Sequence, residues 1–359
     1  MDMALMDRLR PIGFTPAVAQ AMVLLGATVD ASGAPMRLIE VHRETMRVTD
    51  GANEHLARPL PALLRALAET RDALTVGDWL RVERDTHGAW WVHQRMAPLT
   101  QIVRRNSAGA RQSLVTNVDS AMLVMGLDGD FNLRRLERYL AIVKPAGILP
   151  IVILTKRDVC HDVETLLDAL RHRLPNDIPV HAVDARAAAT ASELAPYIST
   201  GQTAVVLGSS GAGKSTLTNT LLGAHVRDTG TVREDDSRGR HTTTSRTLHR
   251  LPVGGCVIDT PGLRGLRPDI DEGDLAAAFD DIQSLSHHCR FRDCGHHDEP
   301  DCAVRAGVAP DRLVNYQKLL REMRRESLTP LQRREQLSMW KTRHRTAEHR
   351  LKMKRGENN

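Results

Sequence analysis

Gly208-Ser209-Ser210-Gly211-Ala212-Gly213-Lys214-Ser215-Thr216 follows the apolar run Thr203-Ala204-Val205-Val206-Leu207 and precedes a helical pattern that stops at Gly223. A strand, a glycine loop of the form G-x-x-x-x-G-K-S and a helix start together make a phosphate cradle. The glycines let backbone N–H groups converge on phosphate oxygens where a Cβ would clash. In this reading Lys214 bridges the β- and γ-phosphates, Ser215 ligates Mg2+, and the helix N-terminus favours the anion. A glycine-rich turn that binds nothing would share the loop. The flanking strand and helix argue instead for a nucleoside triphosphate.

Working outward, strands alternate with helices. Residues 121–125, 149–154 and 179–183 read as strands, and 133–143, 163–173 and 187–198 as helices, ahead of the strand that enters the glycine loop. This predicts a mostly parallel sheet wrapped by helices, with ligands beyond the carboxyl ends of the strands. The loops after Leu154, Val183, Leu207 and Ile258 are therefore expected to converge. Thr155-Lys156-Arg157-Asp158 follows the second strand and has the form [N/T]-K-x-D. Asp158 would accept hydrogen bonds from guanine N1–H and its N2 amine, and beside adenine it would be left unpaired. Lys156 would lay its stem along the base or brace the phosphate loop; alone, the four residues read equally as a surface turn. Val183-Asp184-Ala185-Arg186 resembles the loop that reads guanine O6, with Asp184 where Ser is more usual.

Asp259-Thr260-Pro261-Gly262 ends the strand Cys256-Val257-Ile258. Asp259 would hold Mg2+ through water and the Gly262 N–H would sense the γ-phosphate. Between these motifs lies Gly239-Arg240-His241-Thr242-Thr243-Thr244, in a polar stretch expected to order around nucleotide. One of its threonines would complete the Mg2+ shell, and we take Thr243. Leu263 stands where many GTPases place the glutamine that orients the attacking water, so slow intrinsic hydrolysis is expected. His241 is a candidate to position that water, or else a partner contact.

The remainder divides by pattern. Residues 1–35 form an N-terminal extension with a short helix over 18–25, ended by Gly26. Over residues 36–104, short strand-like runs at 37–42, 45–48, 79–83 and 89–92, with a helical insert at 61–70, predict a small β-barrel. An OB-fold is the candidate, though an SH3-like barrel looks the same from sequence. Residues 101–112 are basic and glycine-containing and read as a linker, with the nucleotide domain over 112–280. Cys289, Cys294, His296 and Cys302, spaced C-x4-C-x-H-x5-C, offer three thiolates and an imidazole, a closed tetrahedral set for one structural Zn2+ in a module over 281–330. His288 and His297 are adjacent alternatives to His296, while Cys160 and Cys256 read as small apolar residues. Leu313, Tyr316, Leu320 and Met323 recur at helical spacing as that module's core stripe, and Pro330 ends it.

Three of the five cysteines cluster with histidines, which suggests metal ligation in a reducing compartment rather than disulfides. With no long apolar run and no secretory pattern, a soluble cytoplasmic protein is expected. Residues 312–359 carry 14 Lys and Arg against 5 Glu, a net +9, and the other 311 residues carry −4. A basic tail over 331–359 suits a polyanion such as RNA or a merely solubilising helix. Aromatics are 3% of the chain, so shape and phosphate contacts would outweigh base stacking in any nucleic-acid binding.

The base-reading box precedes the phosphate loop, whereas most GTPases have it last, so the motif order is a circular permutation. Thr155-Lys156-Arg157-Asp158, residues 208–216, the Gly239 and Asp259 motifs and the Cys289-Cys294-His296-Cys302 set, in this order, resemble the ribosome small subunit-dependent GTPases, the RsgA family. Asn117-Val118-Asp119 and Arg138-Tyr139-Leu140 also look like phrases of that family. The resemblance covers nearly the whole chain from about residue 36. It implies an N-terminal OB-fold, a permuted P-loop GTPase domain binding GTP or GDP with Mg2+, and a mostly helical zinc domain. It further implies GTP hydrolysis stimulated by the small (30S) ribosomal subunit during late maturation, through 16S rRNA contacts. A monomer with no membrane or DNA partner is expected. A second reading is an RNA-binding assembly module that uses GTP without significant hydrolysis. An ATP-dependent kinase is disfavoured by Asp158 and by the lack of an acceptor-site motif.

Overall fold

A strand buried on both faces reads as a continuous apolar run, and such runs form the centre of the molecule. The structure is a computed structural model that describes residues 3–26, 33–42, 44–105, 111–224, 246–260 and 269–327. The chain forms two compact units, Met1–Asp269 and Ile270–Asn359. Among the described residues no helix is long and apolar enough to cross a membrane.

In the first unit, helices α1 (Met3–Leu9) and α2 (Pro16–Gly26) precede strands β1 (Ala34–Val41), β2 (Met46–Thr49) and β3 (Glu54–Pro59). Helix α3 (Pro61–Glu69) leads to β4 (Trp79–Arg84) and β5 (Trp90–Arg95). These strands pair in the order β1-β2-β3-β5-β4, and β1 pairs β4 to close the ring. A register irregularity between Leu38 and Glu40 divides β1, which pairs β4 over residues 34–37 and β2 on both sides of the bulge. A closed five-stranded barrel with a helix between its third and fourth strands is an OB-fold, which removes the SH3-like alternative.

Two expectations are corrected. The presumed linker over 101–112 contains β6 (Gln101–Arg105) and the start of β7 (Arg111–Thr116), an antiparallel hairpin. Its β-branched residues Ile102, Val103 and Val115 are buried with Leu114, and Arg104, one of the arginines that made it look like a linker, bonds Gln112 across the hairpin. Arg105 and Arg111 meet Asp269 at 2.7 and 3.0 Å. Likewise the N-terminal segment is no appendage. Leu9, Ile12, Phe14 and Val18 join the main core, and Phe14 sets its ring edge against Trp79 at 5.0 Å. Arg37 of β1 is fully buried beneath them. Its guanidinium donates to Ile12 O, to Thr203 Oγ1 at 2.8 Å and to Asn117 O at 2.7 Å, and lies over Trp79.

The second sheet comprises β8 (Ser120–Gly126), β9 (Leu149–Thr155), β10 (Val180–Ala182), β11 (Thr203–Gly208), β12 (Thr247–Arg250) and β13 (Cys256–Asp259). Its order is β10-β9-β8-β11-β13-β12, parallel except for β12. Helices α4 (Leu133–Val143), α5 (Val163–Arg171), α6 (Ala188–Leu194) and α7 (Lys214–Leu222) cover it. Side chains alternate between faces along each strand. Leu123, Met125, Val205 and Leu207 enter one core with α4 and α5, while Met122, Val124, Ala204 and Val206 enter another with α6 and α7. The outer edge of β12 meets β1 of the barrel at Glu40 and Thr247, so barrel and sheet are continuous.

The second unit contains α8 (Glu272–Ala278), α9 (Asp280–Ser286), α10 (Ala303–Gly307) and α11 (Pro310–Ser327). Asp271 and Asp274 form a reciprocal capping box at the start of α8. The predicted stripe on α11 is shifted: Leu313 and Leu319 are buried, whereas Tyr316, Leu320 and Met323 are only half-buried. Arg312 holds Asp281 through two hydrogen bonds of 2.7 and 2.6 Å and lies over Phe279. Pro330 and the basic tail over 331–359 lie outside the described residues.

Candidate functional site

At the carboxyl end of β11 the chain turns where a side chain would not fit. A Cβ on Gly208 would meet Val124 O at 2.5 Å. Gly211 and Gly213 have φ of 83° and 87°, a region that favours glycine, and Gly213 caps α7. Ser210 and Gly211 are exposed, Ser209, Ser215 and Thr216 are half-buried, and Ala212 and Lys214 are buried. Lys214 Nζ donates to Ser209 O at 2.6 Å, curling the lysine back over the loop. Burial pulls the Lys214 pKa down, and the charges of Asp259 and Asp130 oppose that pull. Asp259 ends β13, level with Val206 of β11, and is itself buried. The next residue, Thr260, fixes the turn by donating to Val206 O at 2.7 Å.

The other strand ends meet this loop. Thr155, at the end of β9, is fully buried and donates its hydroxyl to Ala212 O at 2.7 Å, so it braces the phosphate loop from below. Lys156 adopts a left-handed conformation, with φ of 62°, and its Nζ pairs with Asp128 Oδ2 at 2.6 Å. Arg157 donates its backbone N–H to Val183 O at 3.3 Å, joining the base-reading box to the loop after β10. Asp158 accepts from Arg186 Nη2 at 2.5 Å, and Arg186 Nε also reaches Asp184 Oδ1 at 3.2 Å. The hydrogen bond from the Arg186 backbone, then its side chain, hold the Asp184 carboxyl below the usual range. The guanidinium thus presents to Asp158 the kind of N–H donor that a guanine edge would present. The loops after Leu154, Val183 and Leu207 converge as expected, and of the fourth, after Ile258, the described residues Asp259 and Thr260 lie beside the end of β11.

Three of the residues singled out from sequence, His241, Thr243 and Gly262, lie outside the described residues, as does Leu263. Two residues that the motifs did not include stand in the site, and Arg186 of the loop after β10 takes a contact not foreseen for it. Asp130 accepts from Ser209 Oγ, Asp128 holds Lys156, and Arg186 holds Asp158. The signal for the first two was available: they follow β8, a strand whose carboxyl end lies between those of β9 and β11.

In the second unit Cys289, Cys294, His296 and Cys302 each offer one donor atom, and the four atoms lie within 4.8 Å of one another. Cys289 Sγ is 3.9 Å from Cys302 Sγ and 3.7 Å from His296 Nδ1, and Cys302 Sγ is 3.5 Å from that nitrogen. Ligands at about 2.0–2.3 Å from a tetrahedrally bound ion stand roughly 3.5–3.8 Å apart, so the set fits a metal ion. His296 faces the group through Nδ1, with a left-handed backbone (φ 58°). Of the alternatives, His288 turns its Nδ1 to Ser284 O, and His297 is not part of the converging group. Cys256 is buried in the first unit, where burial pushes its thiol up to about 11.

The chain was compared with known proteins. The family model described as RsgA GTPase matches residues 96–268. A small ribosomal subunit biogenesis GTPase RsgA of Xanthomonas oryzae pv. oryzae (strain MAFF 311018) is 44% identical over 294 residues, 79% of each chain. The protein of the same name from Xylella fastidiosa (strain M23) is 44% identical over 298 residues, 80% of this chain and 88% of its own. Among solved structures, YjeQ from Thermotoga maritima superposes with a TM-score of 0.60 at 22% identity, covering 81% of this chain and 99% of its own. YloQ, described as a circularly permuted GTPase, gives 0.56 at 22% identity, covering 83% and 97%. These two likenesses concern the fold.

Proposed function

The chain belongs to the RsgA GTPase family, and from that premise we propose that it hydrolyses GTP on the small (30S) ribosomal subunit during late maturation, slowly alone and faster when bound. The observation that carries the reading is the junction of the two loops. Asp158 and the residues 208–216 come from distant parts of the chain in permuted order, yet Thr155 ties one loop to the other through Ala212.

The roles follow from position and charge. Asp158 reads guanine, with Thr155, Lys156 and Arg157 setting its loop. Gly208, Ser209, Ser210, Gly211, Ala212 and Gly213 present backbone N–H groups to the phosphates, and Lys214 supplies the buried positive charge. Ser215 and Asp259 would hold Mg2+, whose chemistry is to neutralise charge developing on the phosphates. His241, Thr243 and Gly262 are assigned to water positioning, Mg2+ and γ-phosphate sensing, and Thr216 to the phosphate loop. The Cys289, Cys294, His296 and Cys302 set would hold one structural Zn2+ that fixes the second unit. We retain residues 36–104 as the barrel, 112–280 as the GTPase domain and 281–330 as the zinc domain, with 16S rRNA as the nucleic-acid partner, a monomeric state and a cytoplasmic location.

The deciding measurement is GTP turnover by the full chain titrated with small ribosomal subunits. Saturable stimulation is expected. Guanine binding without stimulated turnover would favour an RNA-binding assembly module, and ATP competing as well as GTP would remove the base assignment.

A further inference from the structure

Strands β9, β8 and β11 run parallel and side by side, and β8 is the middle one. Val124 of β8 is level with Gly208 of β11, and Gly126 is level with Thr155 of β9. Whatever leaves the carboxyl end of β8 must therefore emerge between the phosphate loop and the base-reading box. The segment that does so is Gly126-Leu127-Asp128-Gly129-Asp130, which belongs to neither motif.

Its two carboxylates reach in two directions. Asp128 Oδ2 accepts from Lys156 Nζ at 2.6 Å. Asp130 accepts from Ser209 Oγ through both of its oxygens, each at 2.7 Å. The turn between them is closed by its own hydrogen bonds. The Asp130 N–H donates to Asp128 Oδ1 at 3.1 Å, the Gly126 N–H to Asp130 Oδ2 at 3.3 Å, and the Leu127 N–H to Thr155 O at 2.9 Å. Gly126 is required for this closure, because a Cβ there would lie 2.4 Å from Asp128 Oδ1. On the far side Arg135, in the first turn of α4, pairs with Asp130 at 2.8 Å.

We infer that Asp128 and Asp130 are positioning residues for the nucleotide, one turn that sets the base-reading lysine and the phosphate loop at a fixed separation. The inference rests on the proposed guanine-nucleotide function. Lys156 is a long side chain with its end in solvent, and ordering it before the nucleotide arrives lowers the entropy lost on binding. Ser209 is held through its hydroxyl while its carbonyl receives Lys214, so Asp130 acts on the residue against which the phosphate-binding lysine rests. A half-exposed ion pair such as Asp128 with Lys156 contributes little to stability. Its removal should therefore be felt in binding and not in melting temperature.

Two double-mutant cycles test this, with mant-GDP and mant-GTP titrated into the full chain. One cycle combines Asp128→Ala with Lys156→Ala, the other Asp130→Ala with Ser209→Ala. Each single change should raise Kd about fivefold, with each double variant close to its weaker single parent, the non-additivity of groups that act together. The cross pair, Asp128→Ala with Ser209→Ala, should multiply. The melting temperatures of Asp128→Ala and Ser209→Ala should stay at the wild-type value. If Asp130→Ala does not fold, Asp130→Asn replaces it in the cycle. Wild-type Kd in Asp128→Ala and Ser209→Ala, or multiplicative losses within each pair, would overturn the inference while wild-type binding leaves the functional reading intact. A wild-type chain that takes up neither mant nucleotide would overturn the functional reading and the inference with it.

Discussion

In the first unit β8, β11 and β13 are buried along their whole length, and their side chains feed two apolar cores on opposite faces of one sheet. In the second unit the described residues form four helices of 5 to 18 residues, and three thiols and an imidazole come together in the chain between α9 and α10. The large clusters of buried apolar side chains found among the described residues lie in the first unit, while the second buries a smaller set that includes Leu275, Phe279, Ile282, Val304 and Leu319. One region is thus held by a large area removed from water, and the other by a small apolar set to which the proposed metal would add its ligand bonds. The first kind of stability is spread over dozens of residues, and the metal's share, as proposed, would be concentrated in four.

Removing the metal should produce the largest contrast. Structural zinc contributes about 10–16 kcal/mol in small metal-dependent modules. A strong chelator, or Cys289→Ser, should unfold the second unit while the first still binds guanine nucleotide. Limited proteolysis beside mant-GDP titration reads both, and a second unit that resists protease without metal would erase the contrast.

Within the first unit the comparison turns to its few buried charges. Replacing Arg37 with Leu would strand Ile12 O, Thr203 Oγ1 and Asn117 O, at a cost of about 3 kcal/mol in denaturant unfolding. A loss below about 1 kcal/mol would mean that the apolar contacts alone seat the N-terminal segment. Asp78 offers a pH test. Burial pushes its carboxyl up to about 6 from an ordinary 3.8, against the pull of Arg95, 2.9 Å away. A raised folded pKa stabilises the fold below the unfolded value, and that contribution is lost as pH rises through about 6. The stability difference between wild type and Asp78→Asn should therefore shrink by roughly 2–3 kcal/mol from pH 4 to pH 7. A flat difference would show that the ion pair cancels the burial term.

The smallest effect is expected at the rim of the nucleotide site. Arg186 is exposed and Asp158 partly so, and water screens their ion pair enough to make it weak. Arg186→Ala should tighten mant-GDP binding by about twofold to fivefold, because Asp158 no longer gives up a partner first. Weaker binding would mean that Arg186 itself contacts the nucleotide.

Sequence revealed each region by a different signal. The strands β8, β9 and β11 were readable because burial on both faces demands unbroken apolar runs. The proposed metal-ligating set was readable because such chemistry is fixed by residue type and spacing, although that His296 rather than its neighbours joins the thiols, through Nδ1, needed three dimensions. β3 passed unnoticed because Glu54, Leu56 and Arg58 face solvent and Ala57 is its one buried residue. The β6–β7 hairpin was mistaken for a linker because Asp269, the partner of its arginines, is far away in sequence. Asp128 and Asp130 were overlooked for a similar reason. A short acidic turn acquires meaning only when its neighbours on two other strands are known.

The pairing of β12 with β1 has a bearing on how the chain leaves the ribosome that makes it. An open six-stranded sheet has two edges, and exposed edges recruit other chains. One edge here, β10, is three residues long, and the other, β12, is met by the barrel. Synthesis proceeds from the N-terminus, and domains fold as they emerge. The barrel strands, complete by Arg95, are therefore available well before Thr247 appears, and the last-made edge of the sheet meets a finished partner.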